Sequence, residues 1–581
     1  MLIDAKFKEA QPLATVNRIR SALFDAGIFT VEKWSDSGIN GCYSTRIEIA
    51  GTSIGQNGKG VTREFALASG YAEFMERLQS GYIYVGKIDD ELEQYKGFIS
   101  DPSEREYTIA EYTKEHGDEL QPLAKRLGAA GTDEILSYCR YEHTLDKTKD
   151  FSAIPFRNIT SGKVLYMPLP LLRDVYATNG TCAGNSEQEA LVQGLSELME
   201  RNHNLRILTE CITPPTIPDD YLQQFEAYEM IREICQKSQC ELIVKDCSLG
   251  TGFPVIAAAF LSRHSHRYIV KFGAHPVFEI ALERCLTEML QGRNFEDASS
   301  TSTIAYSRAE VLTHDNIHNV VKCASGKYYY KFFTAESEYE FVPFPDRTGM
   351  DNAQLLDYCR KLYQDMGYEI YVRKCGYLQF PSYQIIVPGF SEIYNYGLTR
   401  LKEKNSLHKS SEILSNLTEA DDSQLRTLYS YLRYKENFAL ENTLSYTMRL
   451  PLMMSPEDDL AAYRYIEACL AFHFEKWKEA LQCILILNRI CNKDKEYLAA
   501  LETAARSMLS GNELDEAFAV IERFYSPEII GRVRRVFNWS DCAEDLTSYC
   551  NKVREASDAY EIYRSVRHTL KDRQAECDFI K

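Results

Sequence analysis

The chain has 581 residues, of which 45% are hydrophobic and 26% charged, a composition typical of folded globular proteins rather than disordered chains. Lys and Arg number 66 against 84 Asp and Glu, giving a formal net charge of −18. Such a surface repels phosphate backbones, so we expect no direct binding to nucleic acid. A site for any polyanion would need a local cluster of cations or a divalent metal.

The beginning of the chain, Met1 to Gln11, is too polar for a signal peptide. The longest apolar runs, such as Val255 to Leu261, are far shorter than the ~18 residues that a membrane span requires. We therefore expect a cytoplasmic protein without a membrane segment. The 17 cysteines include no Cys-x-x-Cys pair, which favours reduced, buried thiols over zinc sites or disulfides.

Up to about residue 395, short β-rich runs alternate with helical ones, which predicts a mixed α/β domain over residues 1–400. Predicted strands begin at Arg46, Glu241, Phe253, Tyr268, Glu369 and Gln384. Segment 85–150 is more acidic and irregular, and we expect a surface elaboration there.

Beyond Leu407, Gly and Pro become scarce and apolar residues recur at helical spacing, which predicts an all-helical domain over 406–581. Within it, Trp477-Lys-Glu-Ala-Leu matches Leu514-Asp-Glu-Ala-Phe at an offset of 37 residues. This offset is close to the ~34-residue period of tetratricopeptide (TPR) repeats. A TPR-like module would present a groove to a partner, whereas the alternative is a helical cap that only stabilises the first domain or a dimer.

An internal repeat lies in the first domain. Residues 66–77 align without gaps on residues 190–201, and seven of the twelve positions are identical, including the ending Glu-x-x-Glu-Arg. A fainter third copy, residues 281–288, places Glu288 where the first two place Glu73 and Glu197. All three segments are predicted helices, and residues three or four apart share one helix face.

The acidic residues of the repeat form polar stripes on otherwise apolar helices. A single Glu-x-x-Glu pair is usually a solvated helix face, but the same pair twice in register favours a site, because like charges three apart repel each other. Carboxylates that converge from several helices suit Mg²⁺, and Arg201 and Arg284 suit phosphate oxygens. A glycine-containing turn is expected before each copy, at 57–60, 183–186 and 273–276, where backbone N–H groups could approach a phosphate.

Together these motifs resemble the YcaO family over roughly residues 1 to 395. The motifs are Gly58-Lys-Gly60 with Ser69-x-x-x-Glu73-x-x-Glu76-Arg77; Asn179-Gly-x-x-Ala183-Gly-Asn185-x-x-x-Glu189; Gly194-Leu-Ser-Glu197-x-x-Glu200-Arg201; and Phe272-Gly-Ala-His-Pro276 with Ala281-Leu-Glu-Arg284-x-x-x-Glu288 and Gln291-Gly-Arg293.

This resemblance implies an ATP-binding fold distinct from the P-loop and kinase types, with two Mg²⁺ ions and a homodimer. The implied metal-facing carboxylates are Glu73, Glu76, Glu197, Glu200 and Glu288. The implied nucleotide contacts are Lys8, Thr15, Ser69, Asn185, Glu189, Arg201 and Arg284, with Lys8 and Thr15 placed by spacing alone.

The resemblance also implies that ATP phosphorylates the backbone amide oxygen of a peptide or protein. The helical extension, in place of a proline-rich tail, is similar to the stand-alone bacterial subgroup linked to the methylthiotransferase RimO, which makes a RimO-type partner an expectation. Two alternatives stay open. One is a nucleotide-gated adaptor that recruits a partner through its helical tail, and the other is a thioamide- or amidine-forming enzyme of a modified-peptide pathway.

Overall fold

A computed structural model describes residues 7–83, 97–140, 144–238, 240–289, 302–323, 325–392, 398–434, 444–448, 456–491, 494–555 and 558–577. The chain divides into two compact units. The first contains the described residues within Met1–Ile83, Glu93–Leu401 and Val566–Lys581, and the second contains those within Lys402–Ser565. The domain bounds drawn from the sequence stay a prediction.

The first unit mixes strands with helices, as the sequence predicts. Its strands are β1 Thr30–Asp36, β2 Tyr43–Ile49, β3 Gly55–Gly60, β4 Arg105–Tyr107, β5 Phe151–Asn158, β6 Val164–Pro168, β7 Thr181–Ala183, β8 Glu241–Asp246, β9 Val255–Ser262, β10 Arg267–Ala274, β11 Tyr371–Lys374 and β12 Ser382–Ile386. Its helices are α1 Pro12–Asp25, α2 Arg63–Gln79, α3 Ile109–His116, α4 Gln121–Arg126, α5 Thr132–Ser137, α6 Leu169–Leu171, α7 Glu187–Glu210, α8 Asp219–Leu222, α9 Ala227–Ser238, α10 Phe278–Met289, α11 Arg308–Val311, α12 His314–Cys323 and α13 Asn352–Asp365. A π-helical turn, Leu172–Tyr176, follows α6, and a 3₁₀ turn spans Tyr330–Phe333.

The strands form three antiparallel sheets. Two are three-stranded, with the orders β1-β2-β3 and β10-β9-β8. The third runs β4-β5-β11-β12-β7, and β6 pairs with β5. All six predicted strand segments overlap strands of the structure, whereas β1, β3, β4, β5, β6 and β7 were not predicted.

Segment 85–150 is not the irregular elaboration that its composition suggests. Its described part contains β4, α3, α4 and α5, and its apolar side chains, including Tyr112 and Leu123, are buried in one cluster with residues of β5 and β6. The prediction was wrong because the buried positions are spread over short helices, and no helix there is long enough to establish a clear period.

The three copies of the repeat share one geometry of strand and helix. In each, a residue of β3, β7 or β10 lies against a helix residue twelve positions later, in α2, α7 or α10 respectively. A Cβ added to Gly58 would lie 2.3 Å from the Gly70 nitrogen, one added to Gly273 would lie 2.5 Å from the Cys285 nitrogen, and one added to Gly194 would lie 2.8 Å from Cys182 Sγ. Glu73, Glu197 and Glu288, which are predicted to face the metal, each lie three residues beyond the contact, so the shared packing gives the three carboxylates equivalent places.

The prediction of a turn at 57–60 was wrong. Asn57-Gly-Lys-Gly60 is not a turn but the end of β3, which pairs with β2. Its glycines allow the strand backbone to touch α2, since a Cβ at Gly58 would lie 2.2 Å from the Ala66 carbonyl oxygen and one at Gly60 would lie 2.5 Å from the Ala66 nitrogen.

The second unit is all helical in its described residues, which confirms the prediction of an all-helical C-terminal region. Its helices are α14 Thr399–Ser415, α15 Asp422–Tyr434, α16 Leu444–Thr447, α17 Pro456–His473, α18 Trp477–Ile490, α19 Lys495–Leu509, α20 Leu514–Ile521, α21 Pro527–Phe537 and α22 Trp539–Glu555, with α23 Asp558–Ala575 crossing into the first unit. The two matched motifs begin α18 and α20 at their first residues. Their assignment as TPR-like repeats stays a prediction.

The last part of α23 belongs to the first unit, where its side chains donate to backbone carbonyls. Lys571 Nζ donates to the Phe98 carbonyl at 2.9 Å, Gln574 Nε2 donates to the Ser100 carbonyl at 2.9 Å, and Arg573 Nη2 donates to the Asp25 carbonyl at 3.0 Å. Among the described residues, no helix is long and apolar enough to cross a membrane.

We predict that Gly58→Ala destabilises the first unit by about 3 kcal/mol, because the new methyl group would overlap the α2 backbone, which cannot move aside as a side chain can. Urea unfolding measures this change. Gly349→Ala is the control, since a Cβ there would meet nothing within 4 Å, and an equal effect of both substitutions would contradict the close-packing argument.

Candidate functional site

One cavity of about 340 Å³ lies between the three repeat helices, the beginning of the chain and α1. Its volume is within the usual range of small-molecule sites. All twelve predicted site residues line it: Lys8, Thr15, Ser69, Glu73, Glu76, Asn185, Glu189, Glu197, Glu200, Arg201, Arg284 and Glu288. The structure therefore brings together residues that lie up to 280 positions apart in sequence, although it does not test the role predicted for each one.

Local sequence explains how α2 and α7 present these residues. The Thr62 side chain caps α2 by accepting from Phe65 N, and the Ser186 side chain caps α7 by accepting from Glu189 N at 3.2 Å. Tyr71, Phe74, Met75 and Leu78 are buried on the core side of α2. The stripe of Ser69, Glu73 and Glu76 is thus left to face the cavity.

The beginning of α7 anchors a hydrogen-bonded group that joins three segments of the chain. Thr15 Oγ1 donates to Asn185 Oδ1 at 2.8 Å, and Asn185 Nδ2 lies 3.1 Å from Glu189 Oε2. Glu189 also accepts from the Glu9 backbone N–H at 2.8 Å and pairs with Lys8 at 3.4 Å. Lys8, Thr15, Asn185 and Glu189, which were predicted as nucleotide contacts, are therefore direct neighbours.

The segment before α1 is held in place by further contacts. Phe7 is buried, and its ring centroid lies 5.5 Å from that of His275. Asn352 Nδ2 donates to the Phe7 carbonyl and to Glu9 Oε1, both at 2.9 Å. Burial first, and then the nearby charges of Arg284 and Lys8, hold the pKa of His275 well below its usual value. The imidazole is thus neutral at pH 7, and its Nδ1 accepts from the Val277 N–H.

The acidic residues cluster further along α7. Glu189 and Glu200 are eleven residues apart, or about 16 Å along the helix axis. Around Glu197 and Glu200 the cavity also exposes Glu73 and Glu76 from α2 and Glu288 from α10. The cavity thus has one region in which Lys8, Thr15 and Asn185 surround the single carboxylate of Glu189, and another in which several carboxylates cluster.

Arg77 neutralises one group of these carboxylates. Its Nη1 lies 3.0 Å from Glu76 Oε1 and its Nη2 lies 3.7 Å from Glu73 Oε1. The same guanidinium donates to Thr181 Oγ1 and, at 3.1 Å, to the Thr178 carbonyl. Arg201, the equivalent residue of α7, lies 3.8 Å from Glu197 Oε1. The Arg–Glu pair therefore recurs in both copies of the repeat.

Glu76 is the most buried of these carboxylates. Burial raises its pKa to about 8, the charges of Glu197 and Glu73 add to the rise, and Arg77 and the hydrogen bond from Thr181 oppose it. Burial and the nearby like charges destabilise the ionised form of Glu76 unless a second cation binds beside Arg77. The local chemistry therefore favours binding of a cation near Glu76.

Lys59 occupies a corresponding place among the other carboxylates. Its ammonium forms an ion pair with Glu288. Burial lowers the pKa of Lys59 to about 7, Arg284 and Lys271 also lower it, and Glu73 and Glu200 raise it. Among the described residues, no three Asp, Glu, His or Cys side chains are grouped closely enough to hold a metal as they stand, and Lys59 and Arg77 lie among the carboxylates.

The residues nevertheless fit ATP and Mg²⁺. Carboxylate oxygens are the ligands that Mg²⁺ prefers. Arg284 faces the cavity, donates to Gln193 Oε1, and keeps a buried Nε atom that has no hydrogen-bond partner among the described residues. A buried unpaired guanidinium nitrogen is costly unless a ligand satisfies it. Glu73, Glu76, Glu197, Glu200 and Glu288 would hold the metal, and Arg201 and Arg284 would meet phosphate oxygens.

Several cavity residues were missing from the predicted site. Lys59, Arg77, Gln193, His275 and Phe380 line the cavity. Arg77 had a signal in the sequence, because both copies of the repeat end in Glu-x-x-Glu-Arg. For Lys59 the sequence offered no signal beyond Gly-Lys-Gly, because its position among the carboxylates depends on how β3 packs against α2. Gln291-Gly-Arg293 lies outside the described residues.

A second cavity of about 180 Å³ adjoins the first. Glu200, Arg201 and Glu288 line both. The second cavity is otherwise lined by Asn204, Lys271 and Tyr328, among others, and Tyr328 OH donates to Asn204 Oδ1 at 2.6 Å. The second cavity therefore meets the first at Glu200, Arg201 and Glu288, and its walls are polar.

These features define an acidic ligand cavity built from three repeated strand–helix units. The sequence profile described as "YcaO cyclodehydratase, ATP- and Mg²⁺-binding" matches residues 57–391, more than half of the chain. The chain belongs to the YcaO family, as its motifs predict.

Two relatives match over 58% of this chain. One is 30% identical over 340 residues to the "Ribosomal protein S12 methylthiotransferase accessory factor YcaO" of Escherichia coli (strain K12). The other is 29% identical over 349 residues to an uncharacterized protein of Haemophilus influenzae. The chain spans 57% of the length of each.

Solved structures of the family also resemble the chain. A "Heterocyclase in complex with substrate and Cofactor" is 18% identical, with a TM-score of 0.46 over 68% of this chain and 55% of that one. YcaO from Methanopyrus kandleri, bound with AMPPCP and Mg²⁺, is 18% identical, with a TM-score of 0.41 over 68% of this chain and 94% of that one.

We predict that Arg77→Met lowers the free energy of unfolding by about 3–5 kcal/mol in metal-free buffer, because it removes the buried guanidinium that pairs with Glu76 and donates to Thr181 and to the Thr178 carbonyl. Arg201→Met, at the equivalent position, should cost about 1 kcal/mol or less, since Arg201 is 41% exposed and Arg77 13%. Hydrogen exchange of α2 and α7 compares the two variants. Equal losses would contradict the unequal burial on which this prediction depends.

Proposed function

We propose that this protein uses ATP and Mg²⁺ to phosphorylate the oxygen of a peptide or protein amide. The observation that carries this proposal is the convergence of five carboxylates and two arginines, all predicted from the repeat, on one cavity. Mg²⁺, when bound, would neutralise the phosphate oxygens and stabilise the charge that develops during phosphoryl transfer.

Residues at different positions along α7 would bind different parts of the nucleotide. Thr15, Asn185 and Glu189 would bind the nucleoside part through neutral and charged hydrogen bonds, with Lys8 beside them. Arg201 and Arg284 would hold phosphate oxygens, for which the guanidinium fork is suited. The 16 Å distance along α7 suits an elongated ligand that reaches from the hydrogen-bonding region to the carboxylates.

Amide activation would proceed without a protein nucleophile. A nucleophile adds to the amide carbon, the amide oxygen takes the γ-phosphoryl group as ADP leaves, and loss of phosphate then completes the substitution. Positioning and electrostatic stabilisation supply most of the catalysis in phosphoryl transfer. The residues that matter are therefore those that hold the phosphates and metal.

The second cavity is our proposed place for the acceptor amide. It shares Glu200, Arg201 and Glu288 with the first cavity, so an acceptor in it would lie beside the phosphate-binding residues. Asn204 and Tyr328 offer the amide and hydroxyl groups that hydrogen-bond a peptide backbone.

We also propose that the chain works with a RimO-type methylthiotransferase. The support is its 30% identity to a relative named as an accessory factor of ribosomal protein S12 methylthiotransferase. Ribosomal protein S12 is accordingly the first acceptor to test. A cytoplasmic location and a homodimer stay predictions.

We expect Glu73→Gln and Glu200→Gln each to lower ATP turnover by at least a hundredfold, because each removes a charged metal ligand. Phosphate release measures turnover. Glu64→Gln on α2 and Glu210→Gln on α7 are the matched controls, since both residues are exposed on the same helices. Turnover that survives in both site variants would contradict the proposal, and tight ATP binding without turnover in the unaltered protein would favour the adaptor.

For the acceptor cavity, we expect Asn204→Leu to reduce S12-stimulated ATP turnover at least tenfold and to leave AMPPNP affinity within twofold, because the substitution removes a hydrogen-bonding group outside the nucleotide cavity. Gln223→Leu, an exposed amide of the same unit, is the control. Unchanged stimulation in Asn204→Leu would place the acceptor elsewhere.

A further inference from the structure

Lys59 is surrounded by one carboxylate from each repeat helix. It pairs directly with Glu288 of α10, and it lines the cavity with Glu73 of α2 and Glu200 of α7. The charges of Glu73 and Glu200 raise its pKa against the lowering effect of burial. The ammonium therefore pairs with one repeat helix and lies in the same cavity as the carboxylates of the other two.

This lysine belongs to only one of the three repeat units. Lys59 follows Gly58, the strand residue that touches α2, and the residues that follow the equivalent contacts in β7 and β10 are Ala183 and Ala274. The packing of strand on helix in the other units needs no lysine. A structural requirement of the repeat does not explain why β3 carries one at this position.

We propose that Lys59 takes the place of a metal ion among Glu73, Glu200 and Glu288, so that metal binds there only when a nucleotide gives the lysine another partner. The proposal rests on the proposed function, in which these carboxylates hold Mg²⁺. An ammonium and a divalent cation cannot share the same oxygens without strong repulsion. A metal that arrives alone must displace Lys59 from its ion pair and leave it near Arg284.

The phosphates of a bound nucleotide offer Lys59 a partner other than Glu288. Lys59 has a flexible four-carbon stem, so its ammonium can turn from Glu288 to a phosphate oxygen while remaining in the cavity. The carboxylates then become available to metal. Because such coupling is reciprocal, metal must raise nucleotide affinity by the same factor. The result is a site that resists metal without nucleotide.

The test measures Mn²⁺ binding by electron paramagnetic resonance, in which the signal of free Mn²⁺ falls as the ion binds. The full chain is titrated with Mn²⁺ alone and then with Mn²⁺ in the presence of AMPPNP. Lys59→Met should bind Mn²⁺ alone at least tenfold more tightly than the unaltered protein, and its gain in affinity on adding AMPPNP should shrink by a similar factor. Lys33→Met is the control, because Lys33 lies on β1 of the same sheet, is 65% exposed and pairs with Glu48.

Lys59→Arg keeps the positive charge and should bind Mn²⁺ alone no more tightly than the unaltered protein. Lys59→Gln replaces Lys59→Met if circular dichroism shows that the methionine variant does not fold. Equal Mn²⁺ affinity in the neutral variant and in Lys33→Met would overturn the proposal, as would an equal gain in Lys59→Arg. Mn²⁺ that fails to bind the unaltered protein even with AMPPNP would instead contradict the proposed function.

Discussion

Carboxylates that face one cavity repel each other, and the rest of the site depends on how that repulsion is balanced. Glu73, Glu76, Glu197, Glu200 and Glu288 converge from three helices. Arg77 lies beside Glu73 and Glu76, and Lys59 lies beside Glu288. These cations offset part of the repulsion between the carboxylates. The two cations differ in how firmly they are held.

The guanidinium of Arg77 is tied to backbone and side chain of the β7 region, so it is a permanent part of the wall. Among the described residues Lys59 makes one ion pair, with Glu288, and its stem is flexible, so a ligand can move it more easily. The local balance of charge in the cavity therefore differs from that of the chain as a whole, whose net charge is −18.

The fold positions these charges by repeating one contact. Each strand–helix unit brings strand and helix backbones together through a small residue, and the next helical turn carries the acidic side chain. The YcaO family match spans residues 57–391, which include the three repeat helices. The partnership with a RimO-type methylthiotransferase is the part of the proposal that rests on the relative's name.

The sequence by itself determined the helices of the repeat and the all-helical C-terminal region, because helical period and an internal match are local properties. The resemblance to the YcaO family supplied the twelve predicted site residues, which the structure brings to one cavity. The sequence did not determine that Gly58-Lys-Gly60 is a strand, since a glycine pattern reads as a turn until the helix that covers it is known. It also could not assign Lys59 and Arg77 as counter-ions. Their partners lie on helices far apart in sequence, and only tertiary packing decides which charges meet.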